Sequence, residues 1–198
     1  PIFHRYALDG IDFEERFVFP HAARLDTGLA FERACDVLHV AASTSYYKAG
    51  APAMVTGIPG WLPRFAEELF LHGLAEFALT NQLDPIRPGF ALLEPVDFDY
   101  DPEEDDHGYS SDPDAPALVA VGGGKDSIVT IESMKRAGKP FVLGSVRTHR
   151  AIEDTAALAG VEHLVIDRVI DPRLFGLNER GALNGHVPRS EEHTSELQ

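Results

Sequence analysis

Gly122-Gly123-Gly124-Lys125-Asp126-Ser127 places three residues without side chains directly before a cation, a carboxylate and a hydroxyl. The apolar run Ala117–Val121 before it reads as a short buried strand, and the residues after it carry a helical period. Glycine lets backbone N–H groups approach a ligand closely. A helix beginning at Asp126 points uncapped N–H groups and the positive end of its dipole at the same place. Such a turn suits phosphate. Two familiar phosphate loops fail on it. A Walker A loop needs its first glycine where Val119 stands and a Ser or Thr where Asp126 stands. A dinucleotide fingerprint needs a glycine at Ser127 and an acid after the next strand, which ends instead in Gly144-Ser145. The alternative without chemistry is a glycine-rich turn that binds nothing.

The loop resembles the PP-loop of the ATP pyrophosphatases, with Gly122 in place of the usual leading serine. The resemblance implies ATP as cofactor, held by Gly122, Gly123, Gly124, Lys125, Asp126 and Ser127, together with Mg2+. Lys125, the helix start and the metal would supply positive charge in an otherwise acidic protein. Asp126 is read either as the cap of the helix or as a magnesium ligand. Arg147, His149 and Arg150 follow the second strand, on the carboxyl edge where open parallel sheets bind ligands, or else form a solvated helix start. Asn184-Gly185-His186-Val187-Pro188 follows a strand-like region and is a second candidate site loop. There His186, between glycine and proline, is read either as a group placed for proton transfer near neutral pH or as a lone surface histidine. Lys125 and His186 are the candidate catalytic groups, and no acid–base pair can be assigned. Tyr46, Tyr47 and Lys48 line a substrate pocket or simply pack.

These residues need elements to hold them. From residue 116 the rhythm is strand, helix, strand, helix, strand. Expected strands are Ala117–Val121, Phe141–Ser145 and Val161–Ile166, and the expected helices run over 126–137 and 148–159. Ile128, Ile131 and Met134 should point inward, and Gly138 and Gly160 should end the helices. Repeated βα units imply parallel strands with right-handed crossovers. Before them, Ile2–Leu8 and Phe13–Phe19 form a hairpin around Asp9-Gly10. A helix covers 31–49 with Ala34, Leu38 and Ala41 as its stripe, interrupted by Ser43-Thr44-Ser45. A second covers 64–81 with Phe70, Leu74, Phe77 and Ala78 on one face. The fold class is α/β: a partial parallel sheet carrying the PP-loop, HUP-like by resemblance, preceded by a smaller α+β N-terminal region. The divisions are 1–96, an acidic linker or loop at 97–115, the first half of a nucleotide-binding domain at 116–188, and a tail at 189–198.

Composition narrows the function. The net charge of −15 disfavours nucleic acid and anionic membrane as partners. Nine of the carboxylates lie in 97–115 without a Lys or Arg, which reads as a solvated segment rather than an EF-hand. The single cysteine, Cys35, excludes an internal disulfide and a cysteine-based zinc cluster, and its apolar neighbours suggest a buried structural thiol. No run approaches the roughly 20 apolar residues of a membrane span, so a cytoplasmic enzyme is expected. Arg189-Ser190-Glu191-Glu192-His193-Thr194-Ser195-Glu196-Leu197-Gln198 is also the translation of a common sequencing adapter, so this tail is expected to be foreign. With Pro1 in place of an initiator methionine, the chain reads as a gene fragment that is itself inactive.

Four segments in order resemble the UDP-N-acetylmuramoyl-L-alanyl-L-glutamate epimerase family. They are Thr44-Ser45-Tyr46-Tyr47-Lys48-Ala49, Leu71-His72-Gly73-Leu74-Ala75-Glu76-Phe77-Ala78, the Gly122 loop with its helix, and Leu174-Phe175 through Asn184-Gly185-His186-Val187-Pro188. The resemblance implies a nucleotide-linked muramoyl-peptide substrate, ATP converted to AMP and pyrophosphate, and inversion of the terminal L-glutamate. Another adenylating enzyme of the PP-loop type (an amide-forming ligase or an RNA-modifying enzyme) or a nucleotide-binding module without catalysis are the alternative readings. The acidic insert at 97–115 departs from the family pattern.

Overall fold

The computed structural model describes residues 1–20, 28–84, 89–96 and 115–183. The acidic segment at 97–114, the His186 loop and the tail at 189–198 lie outside the described residues. Strands β1 (Ile2–Leu8) and β2 (Ile11–Val18) form the expected hairpin. Its turn residues Asp9 and Gly10 have φ of 49° and 77°, the paired positive values that match strand twist in a two-residue turn. Strand β3 (Ala53–Pro59) pairs in parallel with β4 (Ala91–Val96), a small sheet the sequence reading missed. Strands β5 (Ala117–Ala120), β6 (Phe141–Val146) and β7 (His163–Val169) are parallel, as the βα rhythm requires. They are joined by helices α4 (Lys125–Arg136) and α5 (Arg150–Ala159), which pack with Val119, Phe141 and Leu143 into one core.

The main sheet is mixed rather than purely parallel. Its order is β1-β2-β7-β6-β5, because β2 runs antiparallel along β7. Strand β5 is therefore at an edge, with Leu118 exposed. Ile128 on α4, expected to point inward, is half exposed, while Ile131 carries the contact. β7 also runs three residues further than expected, which gives β2 a strand to pair with.

Helix α1 (Leu29–Gly50) differs from its expected stripe. Ala34 is exposed and the buried end is Val40 through Lys48. Ser43 and Thr44 do not interrupt it, since their hydroxyls donate to the carbonyls of Val40 and Ala41 at 2.7 and 2.8 Å. Satisfied inside the helix, they can be buried at little cost. Cys35 is half-buried rather than buried, and burial with nearby Asp36 raises its thiol pKa.

The expected second helix is broken into α2 (Pro63–Glu67), a π-helical turn at Glu68–His72 and α3 (Ala75–Thr80). The i→i+5 bond from Gly73 N–H to Glu68 O marks the break at 3.1 Å. The expected face survives: Phe70, Leu74, Phe77 and Ala78 are all buried around Ile58 and Ala66. Helix α6 (Pro172–Glu179) occupies part of the region read as strand-like before Asn184. Pro172 at its first position and Asp171 as N-cap explain the helix.

Two charged nodes fasten these layers. Arg168 on β7 pairs with Glu15 on β2 and donates to Ser45 Oγ (3.1 Å) and Ala42 O (3.3 Å) of α1. Asp171 caps α6 at Arg173 N (2.9 Å) and accepts from Glu14 N–H (3.0 Å), extending the contact with β2 past the end of β7. The Arg173 guanidinium holds the Asp171 carboxyl well below the usual carboxylate range. No helix among the described residues is long and apolar enough to cross a membrane.

Candidate functional site

The glycine loop sits where the sequence places it, between the carboxyl end of β5 and α4. Gly122 N–H donates to Ser127 Oγ at 3.1 Å, so the hydroxyl reaches back across the loop and closes it. Gly123 has φ of 78°, and a Cβ there would lie 3.0 Å from Ala151 Cβ and 3.1 Å from Ile152 N. The position requires glycine twice over, by conformation and by its approach to α5. Gly124 is the N-cap of α4, with extended backbone and no side-chain cap. Asp126 is thus not the cap that one sequence reading made it. The helix starts one residue earlier, and Asp126 lies in its first turn beside the dipole's positive end.

The same edge carries the start of α5. His149 is its N-cap, also without a side-chain cap bond, and Arg150 is its first residue. Arg147 is left-handed, with φ of 63°. Its N–H bonds Ile166 O at 2.8 Å, and its carbonyl accepts from Ser145 Oγ at 2.9 Å. Ser145 Oγ also meets His163 Nε2 at 2.9 Å. A non-glycine residue held in this region stores about 1–3 kcal/mol, and strain of this kind clusters at ligand sites. The close approach at Gly123 brings the two helix starts together. Two dipole ends with Lys125, Arg147 and Arg150 can neutralise a polyphosphate, although Arg150 also meets Asp154 at 3.7 Å on the surface.

An ATP phosphate fits this cradle, since nothing lies within 4 Å of where a Gly124 Cβ would be and the α4 N–H groups carry no side-chain cap. Magnesium finds less support from protein alone. No group of three or more His, Cys, Asp or Glu among the described residues could hold a metal. Asp126 offers a carboxylate in the first turn of α4, and phosphates can supply remaining ligands to magnesium.

A second feature was legible in the sequence only at Tyr46 and Tyr47. Tyr6 stacks between His39 and Tyr46, with ring centroids 4.7 and 4.3 Å away. Tyr6 OH donates to His39 O at 3.1 Å, and His4 Nδ1 meets His39 Nδ1 at 3.0 Å. Tyr46 and Tyr47 are buried, and both line a groove of about 330 Å³ with Tyr6 and His39. Lys48 is buried but does not line it. The signal available in the sequence was alternation: His4 and Tyr6 share one face of β1.

The histidine pair makes stability depend on pH. Burial, with His39 and Arg168 nearby, lowers His4 to about 4, and burial lowers His39 as well. Unfolded, both return toward the ordinary histidine value of about 6.5, so the unfolded chain binds more protons below it. Stability should be complete above about pH 6.5 and fall by about 3 kcal/mol between there and pH 4 for His4 alone. The depressed Asp171 carboxyl then withdraws its contribution as the pH falls below about 4. Urea midpoints from pH 8 to 4 check this, and His4→Phe should flatten the upper part of the curve.

Comparison with known proteins fixes the family. A family model described as the MurL N-terminal domain matches residues 2–191. The chain belongs to the MurL N-terminal domain family. One match runs across the acidic segment at 97–114 and reaches the first three residues of the adapter-like tail. A Salinispora tropica protein named UDP-N-acetyl-alpha-D-muramoyl-L-alanyl-L-glutamate epimerase is 38% identical over 200 residues, covering 92% of this chain and 41% of that protein. A Micromonospora protein of the same name is 38% identical over 92% of the chain and 42% of its own length. One from Xanthomonas oryzae pv. oryzae is 34% identical over 80% of the chain and 35% of its own length. The chain therefore spans about two fifths of the relatives' length. No solved structure matches it.

Proposed function

We propose that this chain is the ATP-binding N-terminal part of an epimerase that inverts the terminal L-glutamate of UDP-N-acetylmuramoyl-L-alanyl-L-glutamate. The observation that carries the reading is the uncapped α4 start behind Gly122–Gly124, in a chain whose relatives bear that enzyme's name. In this reading β5, β6 and β7 are the first half of a HUP-like nucleotide sheet and Gly122–Ser127 is its PP-loop.

The chemistry explains why an epimerase would need ATP. The Cα–H beside an ionised carboxylate is very weakly acidic, since deprotonation places a second negative charge next to the first. When bound, ATP would supply adenylyl transfer to that carboxylate with release of pyrophosphate, which removes its charge and acidifies the Cα–H, and water would afterwards return the carboxylate and release AMP. This chain's residues do the holding. The N–H groups of the first α4 turn and Lys125 bind phosphate oxygens, Asp126 offers a carboxylate to Mg2+, and Arg147 and Arg150 balance the remaining charge. Glycine at 123 lets the α5 start approach the same anion. Lys125 acts by placing a positive charge against the phosphate oxygens.

In heavy water, a protein of the relatives' length carrying this sequence should give D-glutamyl product with deuterium at Cα, and one AMP per turnover. Production of AMP only with an added amine or RNA, with no inversion, would identify a ligase or an RNA-modifying enzyme instead. Lys125→Ala should lower kcat/KM for ATP about ten- to a hundredfold, the loss of one charged phosphate contact of about 1.5–3 kcal/mol. Unchanged ATP use would remove Lys125 from the site.

A further inference from the structure

The groove between the β1–β2 hairpin and β3 lies apart from the phosphate loop, and its construction suits a particular part of a long substrate. Two strand edges face each other across it. β1 pairs only with β2, and β3 pairs only with β4, so among the described residues the outer edges of Arg5–Leu8 and Met54–Gly57 have no strand partner. Its floor is one face of α1, with His39, Ser43 and Tyr46 at positions i, i+4 and i+7. Ser43 spends its proton on Val40 O and keeps acceptor capacity toward the groove. A register shift between Thr56 and Ile58 bends β3 where it lines the groove. Bulges of this kind re-aim groups beside binding sites.

Position then selects the ligand. β2 pairs with β7 only at Arg16–Val18, whereas Arg5–Leu8 pair with Ile11–Glu14. The hairpin therefore continues past the end of β7, on the carboxyl side of the sheet where the glycine loop opens. Across the sheet β1 and β5 are four strand spacings apart, about 19 Å. A carboxylate activated at the loop leaves an alanyl-glutamyl pair reaching only about 7 Å from it. The register sets the groove further along the strands as well, so it is too distant for the reacting carbon and can meet only a remote part of an extended substrate. Its volume of about 330 Å³ is at the small end of ligand pockets.

We propose that this groove is the subsite for the uridine end of the nucleotide-linked substrate, an assignment that rests on the epimerase reading. Uracil presents a carbonyl, an N–H and a second carbonyl on one edge. Unpaired strand edges present the matching alternation of N–H and C=O, and the Ser43 oxygen can accept from the imide N–H. The aromatic stack of Tyr6, His39 and Tyr46 walls the groove with rigid rings that need no reordering.

The chain's two methionines stand apart, Met54 on the groove wall and Met134 near the carboxyl end of α4, away from the groove. With 13C-methyl methionine, titration of the chain with UDP should shift the Met54 signal saturably and leave Met134 in place. CDP, whose ring reverses the donor and acceptor at that edge, should bind at least tenfold more weakly. A muramoyl dipeptide without nucleotide should leave Met54 unmoved. Thr56→Trp, at an exposed groove position, should abolish the UDP shift while Met134 keeps its native signal. If that variant does not fold, the titrations of the unaltered chain decide. A silent Met54 with UDP, or equal affinity for CDP and UDP, overturns the assignment. Glutamate inversion by the longer protein with Met54 silent refutes the subsite alone. UDP binding at Met54 with no inversion refutes the epimerase reading and leaves a uridine site.

Discussion

Replacing Arg168 with methionine is expected to destabilise the protein by about 3–5 kcal/mol, the cost of removing one partner of a buried ion pair. Its partner Glu15 is completely buried, and Glu15 Oε2 already has no hydrogen-bond partner among the described residues. Without the guanidinium the carboxylate must stay charged in an apolar setting or take up a proton. The same guanidinium holds Ser45 and Ala42 of α1 and lies 5.6 Å from the Phe17 ring centroid. One substitution thus loosens β2, β7 and α1 together. Urea denaturation at pH 7 measures the loss. The double variant Arg168→Met with Glu15→Leu should recover most of it, because a well-packed apolar pair does not carry the desolvation penalty. A loss below about 1 kcal/mol in the single variant would mean the pair is effectively solvated.

Gly123→Val is expected to remove ATP binding and cost about 3 kcal/mol or more in stability. The backbone there is left-handed, a conformation that costs L-residues about 1–2 kcal/mol and β-branched ones more. A Cβ alone would stand 3.0 Å from Ala151 Cβ and 3.1 Å from two backbone atoms of α5. The two methyls of valine have no flexible neighbour to displace, so α5 must move away from the loop and the two helix starts separate. Gly124→Ala is the control. Its Cβ meets nothing within 4 Å and its φ is −87°, so the fold should tolerate it. ATP binding should fall less than in Gly123→Val. Calorimetric titration of both variants with ATP and Mg2+, beside their thermal midpoints, tests this. Equal ATP affinity in Gly123→Val and the unaltered chain would remove the loop from nucleotide binding.

The sequence by itself determined the elements whose signals are local. Asp9-Gly10 specifies a tight hairpin because few residue pairs take two positive φ values. Three glycines between an apolar run and a helical period specify the β5–α4 turn. Gly138 and Gly160 stop α4 and α5, and both have positive φ. Periodicity also picked out Phe70, Leu74, Phe77 and Ala78 as one buried face, although it did not show the break at Gly73, where an i→i+5 bond to Glu68 O replaces the helical one. The family resemblance rested on ordered segments, and the MurL N-terminal domain match bears it out.

Only the tertiary structure decided the rest, and the reason is sequence separation. The pairing of β2 with β7 joins residues some 150 positions apart, and a strand's own pattern does not say which edge it will meet. Glu15 on the hairpin looks like a solvent-facing acid until Arg168 arrives from β7 to pair with it. His4 and His39 are unremarkable singly and become a part-buried pair when α1 packs on β1. Strands β3 and β4 are short and broken by proline and glycine, so they become strands by pairing with each other over α1. Two strand edges that are unpaired among the described residues line the groove that β3 forms with the hairpin. Residue types do not encode which edges stay unpaired, since every residue but proline offers the same N–H and C=O.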